Sequence, residues 1–389
     1  MQQRSTKFPK AKWLCKLCDY HCDNLAKCKE HFLDTRHSRQ ARSRELETTL
    51  YRLPRANKNH LDCLNSLLAT VEREQGLSEA DMKLRAGVAS TVQQLLAPYL
   101  PGCSVRLYGS SLSGFGLKSS NVNLDLQISD DQLPHLALLR TFKILKESEE
   151  FSDVSDEFTI KIPVIKFTTT ITNLFCELSL NNHQAHETSA LLADYWALDP
   201  RVRTVGAAWR HWASLVRLDR QAEGSLPPHT FPILLVYFLQ QQTKPLLPCI
   251  HDMLEPGERD AGRYISPTTA LAAWRTQNQL SPAELWIELF SFFSCGFKMA
   301  DLVVSIKRSG QLTNEEKQWR GRRLAVEDPF SSKRNLCRSI QAGSVFDYIQ
   351  DCLKTGYLYF GTIQVGRDWE CFAGWLMGLY SCFKGGWLC

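Results

Sequence analysis

Tyr108-Gly109-Ser110-Ser111, followed by Lys118-Ser119-Ser120-Asn121-Val122-Asn123-Leu124-Asp125-Leu126, is the stretch that decides how this chain is read. Val105 and Leu107 ahead of it read as a short apolar strand, and the Gly-Ser turn that follows offers backbone N–H groups of the kind that suit phosphate oxygens. Beyond the turn, Val122, Leu124, Leu126 and Ile128 alternate with Asn121, Asn123, Asp125 and Gln127. The period of two predicts a strand whose first set faces a core and whose second set lines one continuous polar face. Taken alone, the stretch reads more simply as a half-buried strand with a polar rim, so the rest of the chain has to decide.

The 389 residues suffice for two or three domains with real cores, and 44% hydrophobic against 22% charged residues excludes a disordered chain. Lys and Arg number 46 against 41 Asp and Glu, an excess too mild to demand a polyanionic partner, but the first 60 residues are clearly basic. The 14 cysteines are scattered, and residues 1–12 are basic with no apolar core of a leader. This predicts a reducing, cytoplasmic location, with room for a nuclear pool, rather than a disulfide framework. The apolar run at residues 231–239 is broken by Pro232 and is far too short to span a membrane, so it reads as a core helix and no membrane partner is expected.

The sharpest motif lies near the start: Cys15-Lys16-Leu17-Cys18, twelve residues, His31, five residues, His37. Two thiolates from a knuckle and two imidazoles from a following helix make a closed tetrahedral set for a structural zinc ion. Cys22 and Cys28 lie close enough in sequence to compete as ligands, and Trp13, Leu17, Leu25 and Phe32 are the apolar residues such a finger is expected to bury. Around it stand Lys7, Lys10, Lys12, Lys16, Lys27, Lys29, Arg36, Arg39, Arg42 and Arg44. They suit either phosphate contacts or a solvated basic helix face. Lys12, Lys16, Lys27, Lys29, Arg36 and Arg39 are the candidate RNA contacts.

Helical spacing of Leu61, Leu64, Leu68 and Val71, then a capping box from Ser78 to Asp81 opening a helix through Leu84, Val88, Leu95 and Leu96, predicts two helices leading into the core of the Gly-Ser unit. Residues 133–146 read as a helix, and residues 158–167 and 173–180 as two strands joined by a Thr-rich turn. From residue 190 onward the pattern reads as nearly all helix, over 202–218, 231–242, 283–297 and 345–358. The expected class is α+β: a Cys2His2 finger with basic extension (7–45), an α/β domain with a small mixed sheet and flanking helices (57–185), a mostly helical domain (186–360) and a divergent tail (361–389). In the tail, the aromatic run around Trp369, Phe372 and Trp375 reads as a packed or poorly formed end.

The Gly109-Ser110 turn and the strand after it resemble the polymerase-beta-like nucleotidyltransferases, most closely the non-canonical poly(A) and terminal uridylyl transferases. Their pattern is Gly-Ser, a spacer, then Ser-Asp-x-Asp; here Asn121 and Asn123 hold both Asp positions. Later segments extend the resemblance over about residues 7–360: Trp209-Arg210-His211-Trp212-Ala213, Leu226-Pro227-Pro228-His229-Thr230-Phe231, Tyr237-Phe238-Leu239-Gln240, and Leu324-Ala325-Val326-Glu327-Asp328-Pro329-Phe330 with Asn335. The order of the pieces is similar to the N-terminal module of the large zinc-knuckle terminal uridylyltransferases. In that family a finger precedes a catalytically dead transferase fold that grips structured RNA, such as microRNA precursors, and an RNA-binding protein of the lin-twenty-eight type, while a separate catalytic module adds uridines.

The resemblance places the third metal carboxylate on Glu177, the triphosphate lysine on Ser214, the Ser-Tyr pair on Pro228 and His229, and the base-selecting His on Arg334. Amide oxygens are neutral and hold Mg or Mn poorly, and proline neither donates to a phosphate nor stacks like a phenol. Asp125 lies two residues past Asn123, roughly 6–7 Å along a strand, and cannot simply take over its role. Glu327 and Asp328 match the family motif and suit a structural turn with Pro329. Two expectations follow: a binding module for structured RNA and a protein partner, silent in transfer; or, from the enzyme class, a weak Mg-dependent uridylyltransferase working through Asp125 and Glu177.

Overall fold

The computed structural model describes residues 11–129, 132–160, 162–254 and 263–363. Lys7, Lys10 and the aromatic run near Trp375 lie outside the described residues.

At the N-terminus, β1 (Trp13–Cys15) and β2 (Tyr20–Cys22) form an antiparallel hairpin with Cys15 opposite Tyr20. Helix α1 (Leu25–Leu33) starts on Asn24, whose side chain accepts from the Lys27 N–H, and α2 (Thr35–Leu50) starts on Asp34, whose carboxylate accepts from the Arg36 N–H. Asp34 is extended, so the two helices meet at a bend where capping side chains satisfy the free N–H groups. Helix α2 buries little of itself but is fixed at its far end: the Lys354 ammonium donates to Glu47 at 2.9 Å and Ser43 at 3.2 Å, and the Tyr51 hydroxyl donates to the Cys295 carbonyl at 3.3 Å.

Helices α3 (Lys58–Gln75) and α4 (Glu79–Leu96) follow, the second opened by the expected Ser78/Asp81 box. They part company. Val88, Val92 and Leu96 of α4 enter the core under the sheet, whereas Leu64, Leu67, Leu68 and Val71 of α3 pack into the helical body. Both helices lead into the sheet half along the chain, as expected, but α3 packs its buried face on the helical half.

The central sheet has five strands in the order β3-β4-β7-β6-β5: β3 (Ser104–Tyr108), β4 (Val122–Gln127), β5 (Phe151–Glu157), β6 (Val164–Thr169) and β7 (Phe175–Leu180). A short helix α5 (Ser110–Ser113) follows the Gly-Ser turn, and α6 (Pro134–Glu147) covers the sheet with Ala137, Leu138 and Leu145. β4 and β7 run parallel with Asn123 opposite Glu177, while β6 lies antiparallel to β7 with Lys166 opposite Glu177. One strand more than expected lies here: β5 is a polar edge strand, Phe-Ser-Asp-Val-Ser-Asp-Glu, without the apolar alternation that marks a half-buried one.

The second half contains α7 (His183–Leu198), α8 (Pro200–Leu215), α9 (Thr230–Gln240), α10 (Ile250–Met253), α11 (Thr268–Ala273), α12 (Pro282–Ser291) and α13 (Gly343–Gly361). Its core stacks Trp209 on Trp212 at 4.8 Å, with Trp286 and Phe290 edge-on. Helix α9 is buried along its whole length, as an apolar run on all faces requires. The half is less purely helical than expected. A four-stranded sheet in the order β11-β10-β8-β9 forms from β8 (Leu302–Val304), β9 (Leu312–Thr313), β10 (Ala325–Asp328) and β11 (Ser331–Asn335). These strands run two to five residues, too short to declare a period. No described helix is long and apolar enough to cross a membrane.

Candidate nucleotide cleft and metal-ligating finger

A cleft of about 710 Å³ opens between the two halves. Gly109, Ser110, Asn121, Asn123, Glu177, Ser214, Pro228, His229 and Arg334 all line it. Residues more than 200 apart in sequence are thus gathered by the β4/β7 register on one wall and by α8, α9 and the β10–β11 hairpin on the other.

The register explains the first wall. Asn123 lies opposite Glu177, and its Nδ2 donates to Glu177 Oε2 at 3.3 Å. Burial lifts the Glu177 carboxyl above the usual range; Glu157 pushes the same way, and Lys166, Asn123 and Asn121 pull it down. An amide therefore stands against a reluctant acid where two carboxylates facing a metal pair would need two divalent charges. The Gly109 N–H is not free for a phosphate, contrary to the sequence reading, because it donates to Ser189 Oγ at 2.7 Å. The turn needs glycine: φ is +65°, and a Cβ would come within 3.0 Å of the Asn123 side chain.

Asp125 does not line the cleft with Asn121 and Asn123, so the polar face is not continuous. Helix α7 closes over its end of the strand, and the fully buried carboxylate accepts from Ser179 Oγ at 3.1 Å, from the Asn182 N–H at 2.9 Å and from Gln127 Nε2, with His186 Nε2 3.3 Å away. It anchors the β7–α7 connection. Asp125 is therefore not among the residues that line the cleft, whereas Glu177, named with it, is.

On the second wall, Arg210 is 5% exposed with Nη1 3.5 Å from Asp219, and Arg334 stands 3.4 Å from Asp328. His229 lines the cleft with an exposed face; desolvation by the protein packed around it and the Arg334 charge hold its pKa below the usual histidine value. Asp328 accepts from the Phe330 N–H at 2.9 Å, closing the turn at Pro329. Glu327 accepts from Ser305 at 2.5 Å and from Lys317 at 2.6 Å. Asp328 thus closes the expected turn while also facing the cleft, whereas Glu327 is held by Ser305 and Lys317 rather than by the turn. Sequence reading passed over Arg210, although it quoted the Trp-Arg-His-Trp segment, and it passed over Arg85. The latter is buried, and its guanidinium donates to Ser111 Oγ and to the carbonyls of Leu117, Lys118, Ser120 and Asn121 at 2.8–3.3 Å, holding the loop that delivers Asn121.

In the finger, the ligand atoms of Cys15, Cys18, His31 and His37 all lie within 4.8 Å of one another. His37 Nδ1 is 3.7 Å from Cys15 Sγ, 3.3 Å from Cys18 Sγ and 3.1 Å from His31 Nε2. A tetrahedral zinc ion with Zn–S of about 2.3 Å and Zn–N of about 2.0 Å puts its ligands roughly 3.3–3.8 Å apart, so this donor set fits. Cys22 and Cys28 are buried outside the set. The apolar residues do not behave as expected: Leu17, Leu25 and Phe32 are exposed, because α1 is short and turns its ligand face, with Cys28 and His31, toward the hairpin. Tyr20 stacks on His31 at 4.5 Å instead. Lys12, Lys16, Lys27, Lys29, Arg36 and Arg39 are all exposed; Lys27 also pairs with Asp23 at 2.8 Å.

Comparison with known proteins places this geometry in a lineage. Residues 43–180 match the TUTase nucleotidyltransferase domain, and residues 282–334 match the Cid1 family poly A polymerase region. The chain is 30% identical over 398 residues to terminal uridylyltransferase 7 of Homo sapiens and 29% identical over 420 residues to terminal uridylyltransferase 4 of Mus musculus, covering 92% and 94% of itself but only 27% and 26% of those proteins. It thus spans about a quarter of their length. Against the poly(A) RNA polymerase GLD2 of Danio rerio it is 24% identical over 296 residues, 74% of this chain and 59% of that one. Among solved structures, the Cid1 poly(U) polymerase with MgGTP bound superposes with a TM-score of 0.71 at 22% identity, over 79% of this chain and 98% of that one. A mitochondrial poly(A) polymerase (mtPAP) in complex with UTP gives 0.71 at 20% identity, over 83% and 76%. With both domains present in order on a Cid1-like fold, the chain belongs to the polymerase-beta-like nucleotidyltransferase superfamily, among the relatives of the terminal uridylyltransferases and GLD2-type poly(A) polymerases.

Proposed function

We propose that this chain is an RNA-binding, transfer-silent relative of the terminal uridylyltransferases. It holds structured RNA through a zinc-bound finger and serves, with an RNA-binding protein of the lin-twenty-eight type, to present that RNA, such as a microRNA precursor, to a catalytic uridylyltransferase module. The observation that carries this reading is the Asn123–Glu177 contact at 3.3 Å. A hydrogen-bonded amide and acid occupy the place where phosphoryl transfer needs carboxylates around two ions. Asp125, the residue a weak enzyme would enlist, is engaged by three hydrogen-bond donors and His186 away from the cleft. The exposed basic residues of the finger and α2 supply the phosphate-facing charge, and a cytoplasmic location goes with this role.

The test is a primer-extension assay with each nucleoside triphosphate in Mg and in Mn, run beside hairpin-RNA binding over a range of salt. No extension together with salt-dependent hairpin binding is expected. Extension abolished by Asp125→Ala would return the chain to the enzymes, and hairpin binding absent at moderate salt would remove the recruiting role.

A further inference from the structure

Two buried donors on the cleft make no hydrogen bond to any described residue, although one of them stands in a long ion pair. Arg210 is 5% exposed, and its Nη1 makes no hydrogen bond, with Asp219 only at 3.5 Å. Gln184 Nε2, on the same cleft, is also buried without an acceptor. Leaving such a group unpaired costs on the order of 1–3 kcal/mol, more for a charged one, and buried donors are seldom left so unless something outside the chain accepts from them. Arg334 leans on Asp328 at 3.4 Å, longer than a tight charge-assisted bond of about 2.7–2.9 Å, and Arg220 is exposed at the rim. Phe115, Ile162, Pro228 and Pro232 supply apolar wall.

The composition of the opposite wall changes what can enter. Carboxylates at positions 121 and 123 would repel a phosphate unless divalent ions stood between them; Asn121 and Asn123 carry no charge, so that repulsion is gone. The volume of about 710 Å³ suits a ligand of nucleotide size.

We propose that this cleft binds a nucleoside phosphate without a divalent ion, the phosphate accepting from Arg210 and Gln184 and drawing charge from Arg334, beside neutral Asn121 and Asn123. The proposal rests on the reading of the cleft as silent in transfer, but not on the hold of the finger on RNA. The same chemistry is offered by a free nucleotide and by the terminal nucleotide of an RNA strand.

The experiment is isothermal titration of the full zinc-loaded chain with uridine 5′-monophosphate, inorganic phosphate and a short unstructured oligouridine, each in magnesium-free buffer and with added magnesium. Binding of the monophosphate or the oligomer is expected in magnesium-free buffer, changing less than about twofold on adding the metal. Which of the two binds assigns the source, and both outcomes support the site. Arg334→Ala is expected to weaken binding about tenfold, the size of one charge-assisted hydrogen bond. Asn121→Asp with Asn123→Asp is expected to weaken magnesium-free binding by at least as much and to make it magnesium-dependent. These exposed or isosteric changes carry the test without disturbing the buried Arg210. No saturable binding without magnesium, magnesium-dependent binding by the wild type, or inorganic phosphate binding as tightly as the nucleotide overturns the proposal. Hairpin retention with no nucleotide binding sinks this site alone, while nucleotide binding without hairpin retention sinks the recruiting role alone.

Discussion

Arg85 directs all five of its hydrogen bonds to uncharged oxygens, four of them carbonyls of residues 117–121. Arg85→Met would leave those buried carbonyls unpaired and release the loop before Asn121. A loss of about 3 kcal/mol or more is expected, read as a drop in the urea midpoint. Glu177 predicts the opposite sign. Its folded-state pKa is raised by burial above the ordinary 4.5, so the folded form binds a proton more tightly than the unfolded chain. Stability is therefore favoured below the ordinary value and lost as pH rises through the raised one. Glu177→Gln should gain on the wild type at pH 7, and the advantage should shrink as the pH is brought toward 4.5, which thermal melts at the two pH values measure. For Asn121→Asp with Asn123→Asp, magnesium affinity should rise while uridine addition stays nearly absent. Ser214, Pro228 and His229 leave a triphosphate unpositioned, and misplacement alone costs a factor of about 10²; robust tailing would contradict this. Asn121, Asn123 and Glu177 were legible because a period of two and a family pattern name them. Asp125 was only half legible: its alternation assigns a face, but whether that face meets the cleft depends on where α7 crosses it.

At the scale of elements, the finger is the part that metal removal should isolate. Its larger apolar residues are mostly at the surface, so beyond the four ligands only the Tyr20–His31 stack and the buried Cys22 and Cys28 hold the hairpin to α1. Cys18→Ala or His31→Ala should abolish zinc uptake and unfold residues 13–37 while the sheet and helical body persist. Metal analysis and hydrogen exchange by segment check both halves of that statement. The finger was legible as four ligand positions, since spacing alone carries them, whereas its core was not, since metal ligation relieves leucine and phenylalanine of the task. Length governs the rest. The long helices α3, α4, α6, α8, α9 and α13 declare their period, but β5 is a polar edge strand and β8–β11 are too short to show one. The allegiance of α3 to the helical body was also invisible, because an amphipathic stripe states that a face is buried and not against what.

Over the whole molecule, the basic finger and the cleft belong to one body because α2 is pinned to α13 through Lys354, Glu47 and Ser43. Reversing charge at Lys27, Lys29, Arg36 and Arg39 should cut hairpin affinity and flatten its salt dependence together, since both arise from the same displaced counterions; filter binding across a salt series reads the slope. The pinned helix also acts as a gauge. Its 16 residues span roughly 24 Å at 1.5 Å each, so an RNA seated on the finger meets the body at a set distance and a set azimuth. Two residues inserted between Arg39 and Arg42 would swing the finger through roughly 200°, while seven would restore its heading and only lengthen the reach.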